Sequence, residues 1–574
     1  MWKVFKLFLS LLTEKEKRSL YFLLLLTLFS TVLESLTIAI LYPIINTLQD
    51  PLILNKSQYK LLYNLFNGSQ VIAIQLKLLL AFLIFIIIKS IVSYVVINKQ
   101  VYFSTSLNYR VSSDLYKKYI HFPYNVYIDS SSSKFIRNLT IETSNFFNFI
   151  INPFLTLITE LILMFTVLAV LLLISFKIVL FLMAFFLFIY IFYINFSRNT
   201  VLDLGKENQK NNDKLIKTVQ ESFSGIREIK LFKLENYFRS TTLKIMRDLS
   251  LGISKNLVYS NAPRILLDFL FYFIFIGIMV YGYFYISGGN IFPIITSFAA
   301  AGIKILPGIS KIVSSYTSIN FGTASINEIA NELNSPVLEN NFEISNNNKI
   351  QLIGTLEFKN ISFSYDNSAN NVLEKLNFKI HYNTLTAILG ESGSGKSTLM
   401  HLILGLLKST SGEIYSNNKA VEVTSPNWLE KVGYLPQNVF IADDTIKNNI
   451  TLFQKDEYID QELLLSSIKS AQLEKLLNNL ESGFDYFVGE RGSRLSGGEI
   501  QRIGIARLLY NKKQIIIFDE PTSALDAKTE SEIIETIVSL KSKCTMIIVT
   551  HNRNLLRHAD FAYELKNLKI SQIK

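Results

Sequence analysis

The first 320 positions of the chain carry long apolar stretches of the kind that cross membranes. About 20 apolar residues are enough to span a bilayer as a helix. From about residue 350 onward, short apolar runs alternate with amphipathic segments instead. This pattern predicts an all-α six-helix transmembrane domain followed by a soluble α/β domain with a mostly parallel sheet. The six predicted spans cover residues 20–47, 73–98, 146–175, 177–196, 262–286 and 291–318.

A polar segment that contains Pro336 and several asparagines separates the two halves. Such segments are typical of linkers. We therefore predict a transmembrane domain at 1–330, a linker at 331–349 and the soluble domain at 350–574.

Positive charge is distributed unevenly along the 574 residues, whose net charge is +11. Lysine and arginine concentrate in segments 3–18, 99–137 and 198–255, whereas the other connections between spans contain few. Cytosolic loops carry such an excess of positive charge. We therefore predict a multi-pass protein of the plasma (inner) membrane, with both termini and the soluble domain in the cytosol. This topology accounts for the charge, so we expect no nucleic-acid partner.

Several shorter segments carry their own predictions. The two long basic connections predict helical hairpins with turns at 121–124 and 205–213. Segment 1–12 predicts an amphipathic helix on the cytosolic membrane surface. Segment 52–66 fits either a short amphipathic helix on the outer surface or a floppy loop. Cys544 is the only cysteine, which excludes an intrachain disulfide and a cysteine-based metal centre.

A complete phosphate-binding loop, GESGSGKS, occupies residues 390–397 between an apolar run and a helix-like segment. Glycines let backbone N–H groups surround phosphate oxygens, and the helix N-terminus adds positive potential. Lys396 can reach the outer phosphates, and the Ser397 hydroxyl can hold Mg²⁺. The predicted binding residues here are Gly390, Glu391, Ser392, Gly393, Ser394, Gly395, Lys396, Ser397 and Thr398.

Two carboxylates follow the apolar run 515–518, which is typical of a central strand in a parallel sheet. The carboxyl ends of such strands hold ligands. Asp519 can complete the Mg²⁺ shell, and Glu520 can polarise the water that attacks the outer phosphate.

A second glycine-rich helix start, LSGGE, lies at residues 495–499. Its backbone amides suit an anion. In their order and spacing, these motifs resemble an ATP-binding cassette (ABC) transporter of the exporter type, over essentially the whole chain. In the membrane half, segment 221–230 is similar to a stretch of exporter cytosolic loops.

The resemblance implies ATP and Mg²⁺ as cofactors and assigns further roles. Gln437 matches the Q-loop, His551 the switch histidine and Tyr365 the aromatic residue that stacks on adenine. Glu499 departs from the family, in which glutamine is usual at this position. The implied catalytic residues are Glu520, His551 and Gln437; the implied metal ligands are Ser397, Gln437 and Asp519; and further ATP contacts are Leu495, Ser496, Gly497, Gly498, Glu499 and Asp526.

The family pairs Lys396 and Asp519 of one subunit with residues 496–498 of the other. The resemblance therefore implies a homodimer that encloses two composite ATP sites. The charge of the phosphate is neutralised only when both helix N-termini point at it, which favours closure when ATP is bound. Closure would switch the membrane spans between inward-facing and outward-facing states.

The membrane half also contains features that bear on the transported substrate. Charges inside a membrane are costly and usually face a cavity or a partner. Lys304 and Asp268 fit either a structural pair or, with the other ionisable residues of the spans, the lining of a polar translocation path. Segments 34–43, 52–66 and 262–264 are similar to lipid-linked oligosaccharide flippases, which favours an amphipathic or lipid-linked substrate taken from the cytosolic side. A peptide or small-molecule exporter remains an alternative, as does an ATP-gated channel or membrane-anchored regulator. The ionisable residues in the spans are Glu34, Lys89, Glu160, Arg264, Asp268 and Lys304.

Overall fold

The computed structural model describes residues 2–49, 71–174, 176–285, 291–335, 354–365, 371–522, 525–551 and 553–574, with some helical side chains in the membrane half left out. The chain divides into two compact units. The first comprises Met1–His121 and Ser130–Val337, and the second comprises Phe122–Asp129 and Leu338–Lys574. Segment 52–66, predicted as either an amphipathic helix or a loop, and most of the predicted linker lie outside the described residues.

Up to residue 334, the described chain is helical. Helices α11 and α7 pack along each other, and α2 packs along α3 and α7. Between α5 and α7 the helix passes through two π-helical stretches, Asn138–Glu142 and Phe146–Ile151. The helices are α1 Trp2–Leu11, α2 Glu14–Gln49, α3 Val71–Ile120, α4 Tyr124–Asp129, α5 Ser132–Arg137, α6 Thr143–Asn145, α7 Asn152–Ile174, α8 Phe176–Ser224, α9 Ile226–Leu231, α10 Glu235–Tyr285, α11 Ile291–Phe321 and α12 Thr323–Asn334.

Four described helical segments are long and apolar enough to cross a membrane: Glu14–Leu41, Leu76–Ile120, Ser132–Val170 and Glu235–Gly277. They overlap the first, second, third and fifth predicted spans. The fourth and sixth predicted spans lie in α8 and α11, many of whose side chains are not described. The count of six spans therefore stays a prediction.

The turn expected at 205–213 is wrong, because α8 continues through it to Ser224. A Cβ on Gly205 would come within 2.2 Å of the backbone oxygen of Phe321 at the end of α11. Glycine here permits close approach of two helices rather than a reversal of the chain. The chain instead kinks at Gly225, between α8 and α9.

The N-terminal helix forms as expected, although its buried face contacts protein. Phe8 is fully buried, and its ring centroid lies 4.8 Å from that of Phe154 at the start of α7. Phe5 stacks on Phe154 at 5.3 Å, while Trp2 is exposed. Its placement on the membrane surface stays a prediction.

The second unit contains two sheets that confirm the predicted α/β fold with a mostly parallel sheet. A six-stranded sheet has the order β10-β9-β3-β8-β7-β6, and only the terminal pair β9–β10 is antiparallel. A four-stranded antiparallel sheet has the order β2-β1-β4-β5. The strands are β1 Leu356–Phe363, β2 Leu373–Ile380, β3 Leu385–Gly390, β4 Ser411–Ser416, β5 Lys419–Ala420, β6 Val432–Leu435, β7 Ile515–Asp519, β8 Thr545–Val549, β9 Phe561–Lys566 and β10 Lys569–Gln572.

Helices cover the parallel sheet, and its central strands are buried on both faces. All five residues of β8 and the first four of β7 are buried, as expected for strands between helical layers. The carboxyl ends of β3, β7 and β8 therefore meet at one edge. The helices are α13 Lys396–Ile403, α14 Pro426–Leu429, α15 Ile446–Thr451, α16 Gln461–Ser470, α17 Glu474–Asn478, α18 Gly497–Tyr510, α19 Ala527–Ser539 and α20 Arg553–His558; single 3₁₀ turns lie at Asp456–Tyr458, Gly483–Asp485 and Glu490–Gly492.

Candidate functional site

The loop between β3 and α13 has the backbone that a phosphate cradle requires. Gly393 and Gly395 have φ angles of +81° and +99°, in the left-handed region that favours glycine. A Cβ on Gly390 would come within 2.6 Å of both the Leu565 carbonyl oxygen and Ser394 Oγ. Ser394 Oγ is itself buried without a hydrogen-bond partner in the described structure. A polar group thus faces the interior of the loop, ready for a ligand.

Lys396 places its ammonium group inside this loop. Nζ donates to the carbonyl oxygens of Gly390 and Glu391, both at 2.8 Å. Burial lowers the pKa of Lys396, and the nearby charges of Glu520 and Asp519 oppose that shift. The cation therefore shares one electrostatic environment with the two strand-end carboxylates. Ser392 and Ser397 are exposed at the loop surface.

Asp519, the last residue of β7, is held by a residue that the sequence analysis did not assign. Tyr434 Oη donates to Asp519 Oδ2 at 3.0 Å. Burial, followed by the Asp519 charge, raises the pKa of Tyr434 well above its usual value, so the phenol remains a donor. In the parallel pair β6–β7, Tyr434 lies opposite Ile517, two residues before Asp519. A prediction that β6 pairs with β7 in this register would have identified Tyr434 as a neighbour of Asp519.

Glu520 is the point at which the three predicted catalytic residues converge. Gln437 Nε2 lies 3.4 Å from Glu520 Oε2, and His551 Nε2 lies 3.4 Å from Glu520 Oε1. The backbone of Glu520 has φ +46°, an unusual conformation for a residue other than glycine. Its N–H donates to Val549 O at 2.9 Å, which anchors the turn to β8. Backbone strain of this kind is found most often at functional sites.

Tyr365 lies beside the start of α13. Its hydroxyl is 3.2 Å from Thr398 Oγ1, and its ring packs edge-on against Phe363 with centroids 5.0 Å apart. The ring is partly exposed. The structure thus brings Tyr365 next to the phosphate loop, while adenine stacking stays a prediction.

The LSGGE segment forms the capped start of α18. Ser496 is the N-cap, and Glu499 Oε2 accepts from Ser496 N–H at 2.7 Å and from Ser496 Oγ at 2.8 Å. The Glu499 N–H in turn lies 3.4 Å from Ser496 Oγ, completing a capping box. The unusual glutamate therefore occupies two donors of Ser496 at this helix start.

Asp526, one of the implied ATP contacts, lies close to the same helix start. Asp526 caps α19 and accepts from Thr529 N–H at 3.1 Å and from Thr529 Oγ1 at 2.7 Å. A Cβ on Gly498 would come within 2.4 Å of Thr529 Cγ2, so only glycine allows α18 and α19 this close. Residues 523 and 524 lie outside the described residues. Leu495 is partly buried, and Gly497 is exposed in the first turn.

The predicted site residues thus form two groups, and a hydrogen bond from a side chain of α18 to a backbone carbonyl links them. Gln501 of α18 donates from Nε2 to the Gln437 carbonyl oxygen at 3.0 Å. The first group surrounds the phosphate loop and Glu520; the second surrounds Ser496 and Asp526.

Comparison with known proteins identifies the family. A model described as "ABC transporter" matches residues 373–523, and one described as "ABC transporter transmembrane region" matches residues 20–301. A relative from Rickettsia bellii, whose name describes an export ATP-binding/permease protein, is 30% identical over 517 residues, 84% of each chain. The chain belongs to the ABC transporters, as an exporter with fused transmembrane and ATP-binding domains. ABC exporters of this kind couple ATP hydrolysis to transport.

Further relatives of this ABC exporter agree in architecture. An ATP-dependent lipid A-core flippase from Legionella pneumophila (strain Paris) is 26% identical over 446 residues, 77% of this chain and 74% of the flippase. A solved structure of a bacterial Atm1-family ABC exporter with ATP bound has a TM-score of 0.76 at 18% identity, covering 97% of this chain and 94% of that one. At this identity, the likeness establishes the fold.

The donor set around the exporter's phosphate loop fits a magnesium nucleotide. Ser397, Gln437 and Asp519 offer a hydroxyl, an amide and a carboxylate, the hard oxygen ligands that Mg²⁺ prefers. The described residues contain no cluster of three or more His, Cys, Asp or Glu side chains that would hold a metal alone.

A short helix from the membrane half of the sequence belongs to the ATP-binding unit. Segment Phe122–Asp129, which includes α4, clusters with this unit. The Tyr124 ring meets His401 of α13 edge-on, with centroids 5.0 Å apart. Burial lowers the pKa of His401, an effect that the Asp519 charge opposes. Helix α13, which begins at the phosphate loop, therefore also contacts this segment, through His401.

Proposed function

We propose that the chain works as a homodimer in the plasma membrane, with its termini and ATP-binding domains in the cytosol. It would use two composite ATP sites to move an amphipathic or lipid-linked, oligosaccharide-type substrate from the cytosolic side by alternating access. The observation that carries this proposal is the convergence of Gln437 and His551 on the Glu520 carboxylate, each at 3.4 Å.

Glu520 would act as the general base. Its carboxylate is partly exposed at the sheet edge, where it can accept a proton from the water that attacks the outer phosphate. The side-chain amide of Gln437 and the ring of His551 each approach one oxygen of this carboxylate and would orient it. The strained backbone at Glu520 is anchored by the hydrogen bond from its N–H to Val549 O.

Lys396 and the loop amides would hold the phosphates. In the structure, the Lys396 ammonium is already inside the loop on two carbonyl oxygens. We infer that it exchanges these for outer phosphate oxygens when ATP binds, because a phosphate is the stronger, charged acceptor. Ser397, Gln437 and Asp519 would hold Mg²⁺, which would supply positive charge to offset that of the phosphates. Tyr434 keeps Asp519 oriented for that role.

The second group of residues would complete the site of the other copy. Ser496 and Gly498 present the first turn of α18 and are not part of the phosphate-loop group in their own chain. A helix N-terminus attracts anions. We infer that this turn faces the outer phosphate bound by a partner copy, so that ATP holds the two copies together.

Two observations support a lipid-type cargo. The relative from Legionella is named as a lipid A-core flippase. Charged side chains also lie within the membrane-spanning helices, including a Glu34–Lys89 pair at 3.5 Å and a Glu160–Lys311 pair at 2.6 Å. Asp268 lies 3.8 Å from Arg264 on the same helix, and the proposed Lys304–Asp268 pair stays a prediction. The Lys304 side chain lies outside the described residues.

Reconstituted vesicles test the proposal. A fluorescent lipid-linked oligosaccharide should change leaflet only when ATP is present. Glu520→Gln should lower ATP hydrolysis by about 10²- to 10⁴-fold and abolish movement, while exposed Glu481→Gln should change neither. Movement of a peptide but not of the lipid would favour the peptide exporter. Passive flux through Glu520→Gln with ATP bound but not hydrolysed would favour the gated channel.

A further inference from the structure

Helix α18 contacts the stretch of chain that carries Gln437. Residues 436–440 follow β6 and belong to no helix or strand, and the Gln437 side chain is exposed. An exposed side chain on irregular backbone has many rotamers, and ordering it costs conformational entropy. The approach of Gln437 Nε2 to Glu520 Oε2 at 3.4 Å therefore depends on a backbone that is fixed at Gln437.

Gln501, in the second turn of α18, supplies that fixed point. Its Nε2 donates to the Gln437 carbonyl oxygen at 3.0 Å. Further along the helix, a Cβ on Gly504 would collide with Leu435 Cδ1 at the end of β6. Glycine therefore lets α18 come close enough for the Gln501 amide to reach the loop.

The Gln501 side chain is not optimal for packing at its position. It is buried, and its Oε1 has no hydrogen-bond partner among the described residues. A buried acceptor without a partner lowers stability. Reversing the amide would place Oε1 against the Gln437 carbonyl oxygen, and only the NH₂ group can donate to that oxygen. The amide thus donates to the loop while its own oxygen stays unpaired, which points to a role other than packing.

Arg507, nearly two turns further along α18, secures the other end of the same loop. Its Nη2 donates to Phe440 O and its Nε donates to Asn449 O, both at 2.8 Å. Arg507 thus joins the loop to α15 independently of Gln501. Removing the Gln501 donor would therefore loosen the backbone near Gln437 without detaching the loop from α18.

We propose that Gln501 is a positioning residue for ATP hydrolysis, whose amide holds the backbone of Gln437 so that the Gln437 side chain reaches Glu520. The inference rests on the proposed function, which gives Gln437 and Glu520 their roles, and adds a residue that acts through Gln437. Without the Gln501 donor, the Gln437 side chain would spend less time beside the Glu520 carboxylate, and the maximal rate would fall. The phosphate loop lies between β3 and α13, so ATP binding should be unaffected.

Gln501→Met tests this role. Methionine has a similar length and volume, but it lacks both the donor and the unpaired oxygen. In the full-length protein in vesicles, the maximal rate of ATP hydrolysis should fall about tenfold. The affinity for ATP, measured in EDTA by equilibrium binding of labelled nucleotide, should stay unchanged. The melting temperature should not fall, and Gln501→Leu is the second variant if it does.

A double-mutant cycle shows whether Gln501 acts through Gln437. Gln437→Ala removes the side chain that approaches Glu520 but keeps the carbonyl oxygen that accepts from Gln501. In this background, adding Gln501→Met should change the rate by less than about twofold, because the side chain that it positions is already absent. A residue that only supports packing would lower the rate about tenfold in both backgrounds. That result would overturn the proposal, and so would an unchanged rate in Gln501→Met alone.

Gln454→Met is the matched control. The exposed Gln454 side chain accepts from Tyr510 Oη, at the other end of α18, at 2.7 Å. Its replacement also removes a glutamine hydrogen bond to α18 but leaves Gln437 held, so the rate and the ATP affinity should stay unchanged. A loss of rate as large as in Gln501→Met would show a general effect on α18 and would contradict the proposal.

Glu520→Gln separates this inference from the proposed function. If Glu520→Gln hydrolysed ATP at the full rate, the proposed function would fail. If it were inactive while the loss caused by Gln501→Met persisted in Gln437→Ala, only the role of Gln501 would fail.

Discussion

Replacing Glu499 with Gln removes a charge from the start of α18 while keeping the size of the side chain and one acceptor oxygen. In the structure, Glu499 Oε2 accepts from both Ser496 N–H and Ser496 Oγ, at 2.7 and 2.8 Å. Under the proposed function, these donors face the outer phosphate of ATP in the partner's site. The carboxylate therefore competes with the phosphate for the same donors and repels it.

The two effects of Glu499→Gln have opposite signs. A carboxylate in the first turn of a helix contributes about 0.3–1 kcal/mol, so the free energy of unfolding should fall by that amount. Two unit charges about 4 Å apart interact by about 1 kcal/mol in water and more at lower dielectric constant. Because this helix start is exposed, the lower figure applies. Removing a repulsion of about 1 kcal/mol corresponds to about a fivefold lower ATP concentration for half-maximal hydrolysis.

Thermal unfolding and ATP-dependent phosphate release measure the two effects on one preparation. The variant should unfold at a lower temperature and yet reach half-maximal rate at lower ATP. Glu481→Gln, at an exposed position, serves as the matched control and should change neither value. A weaker response to ATP in Glu499→Gln would refute the competition argument, as would an unchanged response.

Three further changes test other parts of the structure. Gly390→Ala should raise the ATP concentration for half-maximal hydrolysis more than tenfold, in a nucleotide titration, because its Cβ would lie 2.6 Å from two oxygens. Arg137→Met should lower the free energy of unfolding, measured by chemical denaturation, by about 3–5 kcal/mol, because it leaves the fully buried Glu142 without its cation. Lys134→Met, which breaks a more exposed ion pair, should lower it by only about 0–1 kcal/mol. Burial lowers the pKa of His401, so as pH falls the unfolded chain binds a proton at His401 before the folded chain does, and stability decreases below about pH 6.5. His401→Phe should therefore lessen the fall in melting temperature between pH 7.5 and 5.5. An unchanged pH profile would contradict this role of His401.

The local motifs were readable from sequence because their chemistry lies within a few consecutive residues. The loop 390–397 and the apolar strand before Asp519 each specify their own backbone, and the fold confirms a mostly parallel sheet around them. The S-x-x-E pattern of Ser496 and Glu499 is also a local capping signal. The sequence analysis treated Glu499 only as a departure from the family, although this signal was present.

Features that depend on distant packing were not predicted. Gly205 suggested a turn, but its role is to admit the backbone of Phe321, 116 positions later, and no local pattern reports such a contact. Arg137 gathers Asp213 and Glu328 at 3.1 Å each, from α8 and α12. Only the folded arrangement of helices brings these charges together.

Mixed dimers test the central claim, that each ATP site takes its phosphate loop from one copy and its α18 start from the other. In a Glu520→Gln background, one mixed dimer carries Lys396→Ala in one copy and Ser496→Arg in the other. A second carries both changes in the same copy. The measurement is the amount of labelled ATP retained per dimer after rapid removal of free nucleotide.

Shared sites predict that the first dimer retains one ATP, because both changes fall in a single site. The second dimer should retain none, because each of its sites is damaged. The reverse outcome, with one ATP retained only when both changes lie in the same copy, would show that each chain builds its own site and would contradict the account.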